Sequence, residues 1–238
     1  MNLFIKELLS LYKSIGFYLL GFIFLVGSAL FLFFFSGNFN IFELNQANLY
    51  PFFQIAPYFL IILLPAMTMK SFAEEQEKET LDWLKTMPVD MSKIVATKFL
   101  SIFSGLFTFI FLSLTFFFIV QHFSLNGIDS GLLFSSYLGL IFLGIFIISV
   151  GIFSSAISSN QILAYILAVL INAFFYFFIS GLADYNLIGS LDYLTQSLSV
   201  KFHYERFTQG IFYLSSCSYF IGFSFLFIFL AHQKLNQK

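Results

Sequence analysis

The chain has little of what proteins use for chemistry. Only 10% of its 238 residues are charged, against about 25% in an ordinary soluble domain. Cys217 is the one cysteine, so no intrachain disulfide can form, and its apolar run reads as that of a buried small side chain. Arg206 is the one arginine and no basic run exists, so no nucleic-acid partner is expected. His122, His203 and His232 have no second ligand at metal spacing and read as interfacial or solvated side chains. None of the 14 glycines precedes a lysine, which rules out a G-x-x-x-x-G-K-[ST] phosphate loop. Any ATP that powers the protein must therefore be bound by another chain. Ser101, Ser104, Ser113 and Ser149 have no His–carboxylate partners and read as helix-packing residues. The Glu74–Glu75 pair lacks the histidines that an intramembrane protease would need. The reading is of no enzyme, with no catalytic, metal or cofactor site of its own.

What is present is oil. Hydrophobic residues make up 59% of the chain, 39 of them phenylalanine, and the mean hydropathy is +0.91. This composition predicts an all-α, polytopic membrane protein. Six apolar runs reach spanning length, at about 16–36, 51–69, 94–120, 132–153, 162–182 and 211–231. Pro57 and Pro65 should kink the second. No span carries Asp, Glu, Lys or Arg in its centre, which argues against an ion-coupled transporter or a pump with its own charge-moving site. The charged head with Glu7, the length of the first run and the lack of an A-x-A-like site read that run as a span and not as a secretory signal.

The segment 1–15 carries Phe4, Ile5, Leu8, Leu11, Tyr12 and Ile15 at three- and four-residue spacing. Lys6, Ser10, Lys13 and Ser14 take the other face. It reads as an interfacial helix, or as an extension of the first span. In the external segment 183–209, Leu187, Leu191, Leu194 and Leu198 predict a helix or helical hairpin on the outer leaflet, a solvated loop being the alternative. Six spans put both termini on one side. Nine lysines fall on that side, against Lys201 and Arg206 on the other, so the termini are expected in the cytoplasm. The short uncharged loop 154–161 falls on the same side.

The main polar island is residues 65–90, which hold six of the 12 acidic residues together with Lys70, Lys78 and Lys85. Ser71 and Glu74 fit a capping box that would open a helix over 71–88. Glu74, Glu75, Glu77, Glu79 and Asp82 crowd its first half, as the helix dipole favours. Glu74 and Lys78 make an i,i+4 pair. Ala73, Leu81, Trp83, Leu84 and Met87 supply an apolar side, Pro88 stops the helix, and Asp90 or Ser92 caps the third span. A rigid acidic helix joined to two spans can transmit a push from a docked partner. It can equally be a connector whose charges keep it solvated.

The run from Met69 to Val89 resembles the segment after the second span of ABC-2 type transporter permeases. The matching positions are Ser71, Glu74, Glu75, Thr80, Leu81 and Pro88. That pattern usually has Gly before the threonine, where this chain has Glu79 on what reads as a tolerant surface position. The runs PFFQIAPYFLIILLPAMTMKSFAEE, SSNQILAYILAV and SVKFHYERFTQGIF further resemble the permease subunits of gliding-motility ABC transporters of Bacteroidota. Gln209-Gly210-Ile211 departs from that resemblance, where relatives tend to have Arg-Gly-Val. The resemblance implies a single transmembrane domain over 1–238 in the bacterial inner membrane, with 71–88 docking on a separate ATPase subunit. It also implies a membrane-anchored auxiliary subunit with an external domain, and a homo- or heterodimer of transmembrane domains. Two readings remain: a path or gate for a substrate, or a non-transporting anchor that moves an external subunit.

Overall fold

The computed structural model describes residues 3–43, 48–81, 89–124, 127–184 and 192–237. Among them every regular element is a helix, and six helices are long and apolar enough to cross a membrane. The chain is an all-α polytopic membrane protein. Helix α1 (Leu3–Lys13) meets α2 (Ile15–Phe33) at Ser14, whose ψ of 126° breaks the helix. Then come α3 (Tyr50–Thr68), a short α4 (Ala73–Glu77), α5 (Met91–Phe123) and α6 (Ser130–Ile157).

Helix α6 is the most buried span and organises the bundle. It is apolar on all sides, as a central helix must be. Glycines let neighbours touch its backbone. A Cβ at Gly144 would collide with Leu106 of α5, and one at Gly151 with Thr68 of α3. Several serines inside the spans return their hydroxyls to their own helix, as Ser113 does to the Ile110 carbonyl and Ser149 to that of Ile145. Cys217 is buried, as its apolar run predicts.

The fifth span is α7 (Gln161–Ala173), a π-helical turn (Phe174–Phe178) and α8 (Ile179–Asp184). The wider turn buries Tyr176 while Phe174, Phe177 and Phe178 stay exposed. Two short helices follow, α9 (Asp192–Leu198) and α10 (Val200–Thr208), before the last span, α11 (Leu214–Gln237). Of the four leucines expected to form one face here, Leu187, Leu191 and the side chain of Leu194 lie outside the described residues, and Leu198 is exposed.

Helix α10 does not lie on the bundle but inserts into it, with Val200, Tyr204 and Phe207 buried. His203, read above as interfacial or solvated, is only 5% exposed. Its Nε2 is 2.8 Å from the Ser197 carbonyl and its Nδ1 3.0 Å from Ser216 Oγ, and its ring stacks on Tyr219. A carbonyl only accepts, so Nε2 carries the hydrogen of the neutral ring and Nδ1 accepts from Ser216. Burial holds the His203 pKa below its ordinary value, with Arg206 adding to the effect against the Ser197 hydrogen bond.

Tyr204 closes a gap that the sequence itself opens. Pro57 has no N–H, so the Phe53 carbonyl one turn earlier loses its helical partner. The buried Tyr204 hydroxyl donates to that carbonyl at 2.6 Å.

Candidate functional site

The polar island begins where α3 ends. Residues 69–72 turn the chain, and α4 then lies against the ends of α6 and α7. The expected single helix over 71–88 is corrected: in the described residues α4 is five residues long and ends at Glu77, with Lys78 as its C-cap. Residues 82–88, with Trp83, Leu84, Met87 and Pro88, lie outside the described residues.

The stop has a local cause. Glu79 adopts φ 56°, and it is the one non-glycine residue with positive φ among those described. Its N–H bonds the Gln76 carbonyl at 3.2 Å and that of Thr80 bonds Glu75 at 2.9 Å. These are the two bonds of a Schellman cap. The same cap ends α10, where Gly210 and Ile211 bond Phe207 and Arg206, and there the left-handed residue is a glycine at φ 78°. Residue 79 is thus not the indifferent surface position expected, because an L side chain resists that backbone.

The capping box is also corrected. The N-cap of α4 is Phe72, and Ser71 is buried without capping the helix. The cap comes from α6 instead. Ser155 Oγ accepts from the Phe72 and Ala73 N–H groups, both at 2.9 Å, and donates to the Met69 carbonyl at 3.1 Å. One hydroxyl thereby serves the end of α3 and the start of α4 together. Gln76 Nε2 adds a bond to the Ala156 carbonyl at 2.8 Å.

A buried lysine ties the elbow to α5. Lys98 is 6% exposed. Its Nζ is 2.9 Å from Glu75 Oε1 and 3.5 Å from Glu7 of α1, with the Phe72 ring centroid at 5.2 Å. Removing one partner of such a buried ion group typically costs about 3–5 kcal/mol, because the remaining charge is left uncompensated. Glu75 therefore faces inward, and its Oε2 is buried without a partner.

The outward face consists of Glu77, Lys78, Glu79 and Thr80, all exposed. Glu74 is half-buried and pairs with Lys78 at 2.6 Å, as its i,i+4 spacing predicts. Leu81 is buried in the core. Asp90 is the N-cap of α5 but makes no side-chain cap bond; its carboxylate lies 3.5 Å from Lys93. Among the described residues no three His, Cys, Asp or Glu side chains gather closely enough to hold a metal ion.

Of the sequence-selected residues, the structure gathers Ser71, Glu74, Glu75, Thr80 and Leu81 at one elbow, while Pro88 lies outside the described residues. Sequence reasoning missed Lys98 and Ser155. A lone lysine inside an apolar run was a signal for the first. The second lies more than 80 residues away and carries no local signal. No protein-family model matches the chain, and no curated protein matches it in sequence.

Proposed function

We propose that the chain is the membrane-spanning subunit of an ATP-driven transporter of the ABC-2 type, of the gliding-motility kind or a related secretion system. In this reading it sits in the bacterial inner membrane with both termini and the elbow in the cytoplasm. A separate ATPase subunit binds the ATP, and a second transmembrane domain and an auxiliary subunit with an external domain complete the assembly. One observation carries the reading: an elbow with an exposed, largely acidic face is fixed to three spans at once. It continues α3 covalently, is capped by Ser155 of α6 and is ion-paired to Lys98 of α5. A push on Glu77 and Glu79 then moves those helices together, since none of the ties is a solvated side-chain contact.

The test is a mild-detergent purification followed by ATPase measurement. An ATPase subunit copurifies, its hydrolysis rises in the presence of this chain, and Glu77→Lys with Glu79→Lys abolishes the rise without lowering the melting temperature. Full stimulation in that double variant, or no ATPase recovered after crosslinking, refutes the reading. The Tyr204–Phe53 bond favours a second reading, in which movement reaches α10 on the opposite face and nothing crosses the membrane. ATP-dependent flux of a solute in reconstituted vesicles would exclude it.

A further inference from the structure

Arg206 is the chain's one arginine, and it lies in the last turn of α10. Phe202 stands one turn earlier on the same face of that helix, and the guanidinium carbon is 4.1 Å from its ring centroid. The cap at Gly210 then turns the chain back, and the Tyr213 ring comes within 4.6 Å of the same carbon. The two rings fix the position of the guanidinium and offer it no hydrogen-bond acceptor. Its N–H groups have no other partner among the described residues, and none of its nitrogens is enclosed. The neighbouring Lys201 is paired to Glu205 at 3.7 Å, so Arg206 is the charge left over. Tyr213 directly precedes α11, the sixth span, which begins at Leu214. The guanidinium beside it therefore sits at the membrane boundary, on the side opposite the chain termini. Ile211, Phe212, Tyr213 and Leu214 are all exposed and form a continuous apolar run there.

We propose that Arg206 and the run 211–214 bind an anionic phospholipid of the leaflet opposite the chain termini. The guanidinium donates to the phosphodiester, and Phe212 and Leu214 lie against the lipid. The donors set the ligand class. A guanidinium has N–H groups in a planar fork and no acceptor, which matches a phosphate. The charge selects within the class. The phosphate of phosphatidylcholine is offset by its own ammonium, whereas that of phosphatidylglycerol is not, and Glu205 is already engaged by Lys201. The exposed run favours lipid over a water-soluble phosphate, because aromatic side chains at a span's entry belong to the membrane boundary. The site ties to the leaflet the same helix whose Tyr204 holds α3. It rests on no reading of the elbow or of an ATPase partner.

The test uses the full chain in lipid nanodiscs. Trp83 is the one tryptophan, so Trp83→Phe with Phe212→Trp puts a single indole beside Arg206, at an exposed position. Its fluorescence is quenched by phosphatidylglycerol or phosphatidylcholine carrying brominated acyl chains. Quenching should show phosphatidylglycerol bound about fivefold more strongly, the preference that one basic side chain confers near an anionic lipid. Arg206→Gln should remove the preference and leave quenching by phosphatidylcholine unchanged, which shows that the indole is still at the membrane. Arg206→Lys keeps the charge but loses the fork, and should recover less than half of the preference. Excess inorganic phosphate at constant ionic strength should displace nothing. No preference in the starting protein, a preference that survives Arg206→Gln, full preference in Arg206→Lys, or displacement by inorganic phosphate overturns the proposal.

Discussion

The Tyr204–Phe53 hydrogen bond exists because Pro57 removes a backbone donor, and that dependence can be measured. Tyr204→Phe keeps the ring and deletes only the hydroxyl, leaving the Phe53 carbonyl buried without a partner. Such an orphan costs about 1–3 kcal/mol in protein interiors. Side-chain hydrogen bonds within membrane bundles average nearer 0.6 kcal/mol, with a maximum of about 1.7, because a freed group usually finds another partner. Here it finds none: Pro57 supplies no N–H and Tyr204 is fully enclosed. The cost should therefore lie at the upper end, about 1.5 kcal/mol. In a Pro57→Ala background the carbonyl regains its helical N–H, and the same substitution should cost less than about 0.5 kcal/mol. Reversible unfolding of all four proteins in mixed micelles with rising SDS, followed by helical circular dichroism, gives the double-mutant cycle. A coupling of about 1 kcal/mol is expected. If Tyr204→Phe costs the same in both backgrounds to within about 0.3 kcal/mol, the hydroxyl is not filling the proline gap and the reasoning fails.

Glu79→Gly should relieve the left-handed strain at the end of α4 by about 0.5–1 kcal/mol, whereas Glu79→Ala, which removes the same charge, should not. Amide hydrogen exchange across 75–80 separates the two, and equal protection in both variants would contradict the assignment of strain. Ser155→Ala should release the Phe72 and Ala73 amides, seen as faster exchange there at a cost of about 1–3 kcal/mol, with α11 unaffected. His203 is held neutral by burial, so its folded pKa lies below the ordinary value of 6.5. As pH falls below 6.5 the unfolded chain takes up a proton that the folded chain refuses, so stability is lost progressively until the lower folded pKa is reached. The melting temperature should fall more steeply from pH 7 to pH 5 in the wild type than in His203→Gln. Parallel curves would show that His203 is not the group responsible.

The spans were legible because hydrophobicity over about 20 residues is a local property, and all six runs became helices with ends shifted by only a few residues. The elbow was legible in its location and misread in its form. A capping box is an inference about neighbours in sequence, and Ser71 and Glu74 satisfy it on paper. The fold places the Ser155 hydroxyl where that cap would act, and a contact across 83 residues leaves no trace in spacing. Glu79 looked harmless because residue type alone does not state φ; only the two cap bonds around it reveal the left-handed turn. The resemblance matches Glu75 to the docking segment; in the structure its carboxylate faces inward on Lys98. From sequence, Lys98 is only one of the nine lysines that orient the chain. Amphipathicity was similarly blind to α10, because a helix that re-enters the bundle buries its own apolar face, and the outer leaflet was the simpler place for it.

These ties hold α3 near both ends by side chains from elsewhere in the chain. At one end Ser155 bridges the Met69 carbonyl and the first amides of α4. At the other, Tyr204 of α10 holds Phe53. Between them stand Pro57 and Pro65, each deleting one backbone bond of α3, eight residues or about 12 Å apart. A helix clamped at its ends and weakened between them yields first at the weak points. Under the coupling reading, pressure on the elbow therefore bends α3 between the two prolines. It does not slide α3 along its axis, because sliding would break the Ser155 and Tyr204 bonds together, each at the cost of an orphaned buried group. Bending keeps both and still displaces α10. On that reading, the prolines that a soluble helix would reject are the places where movement at one face would be converted into movement at the other.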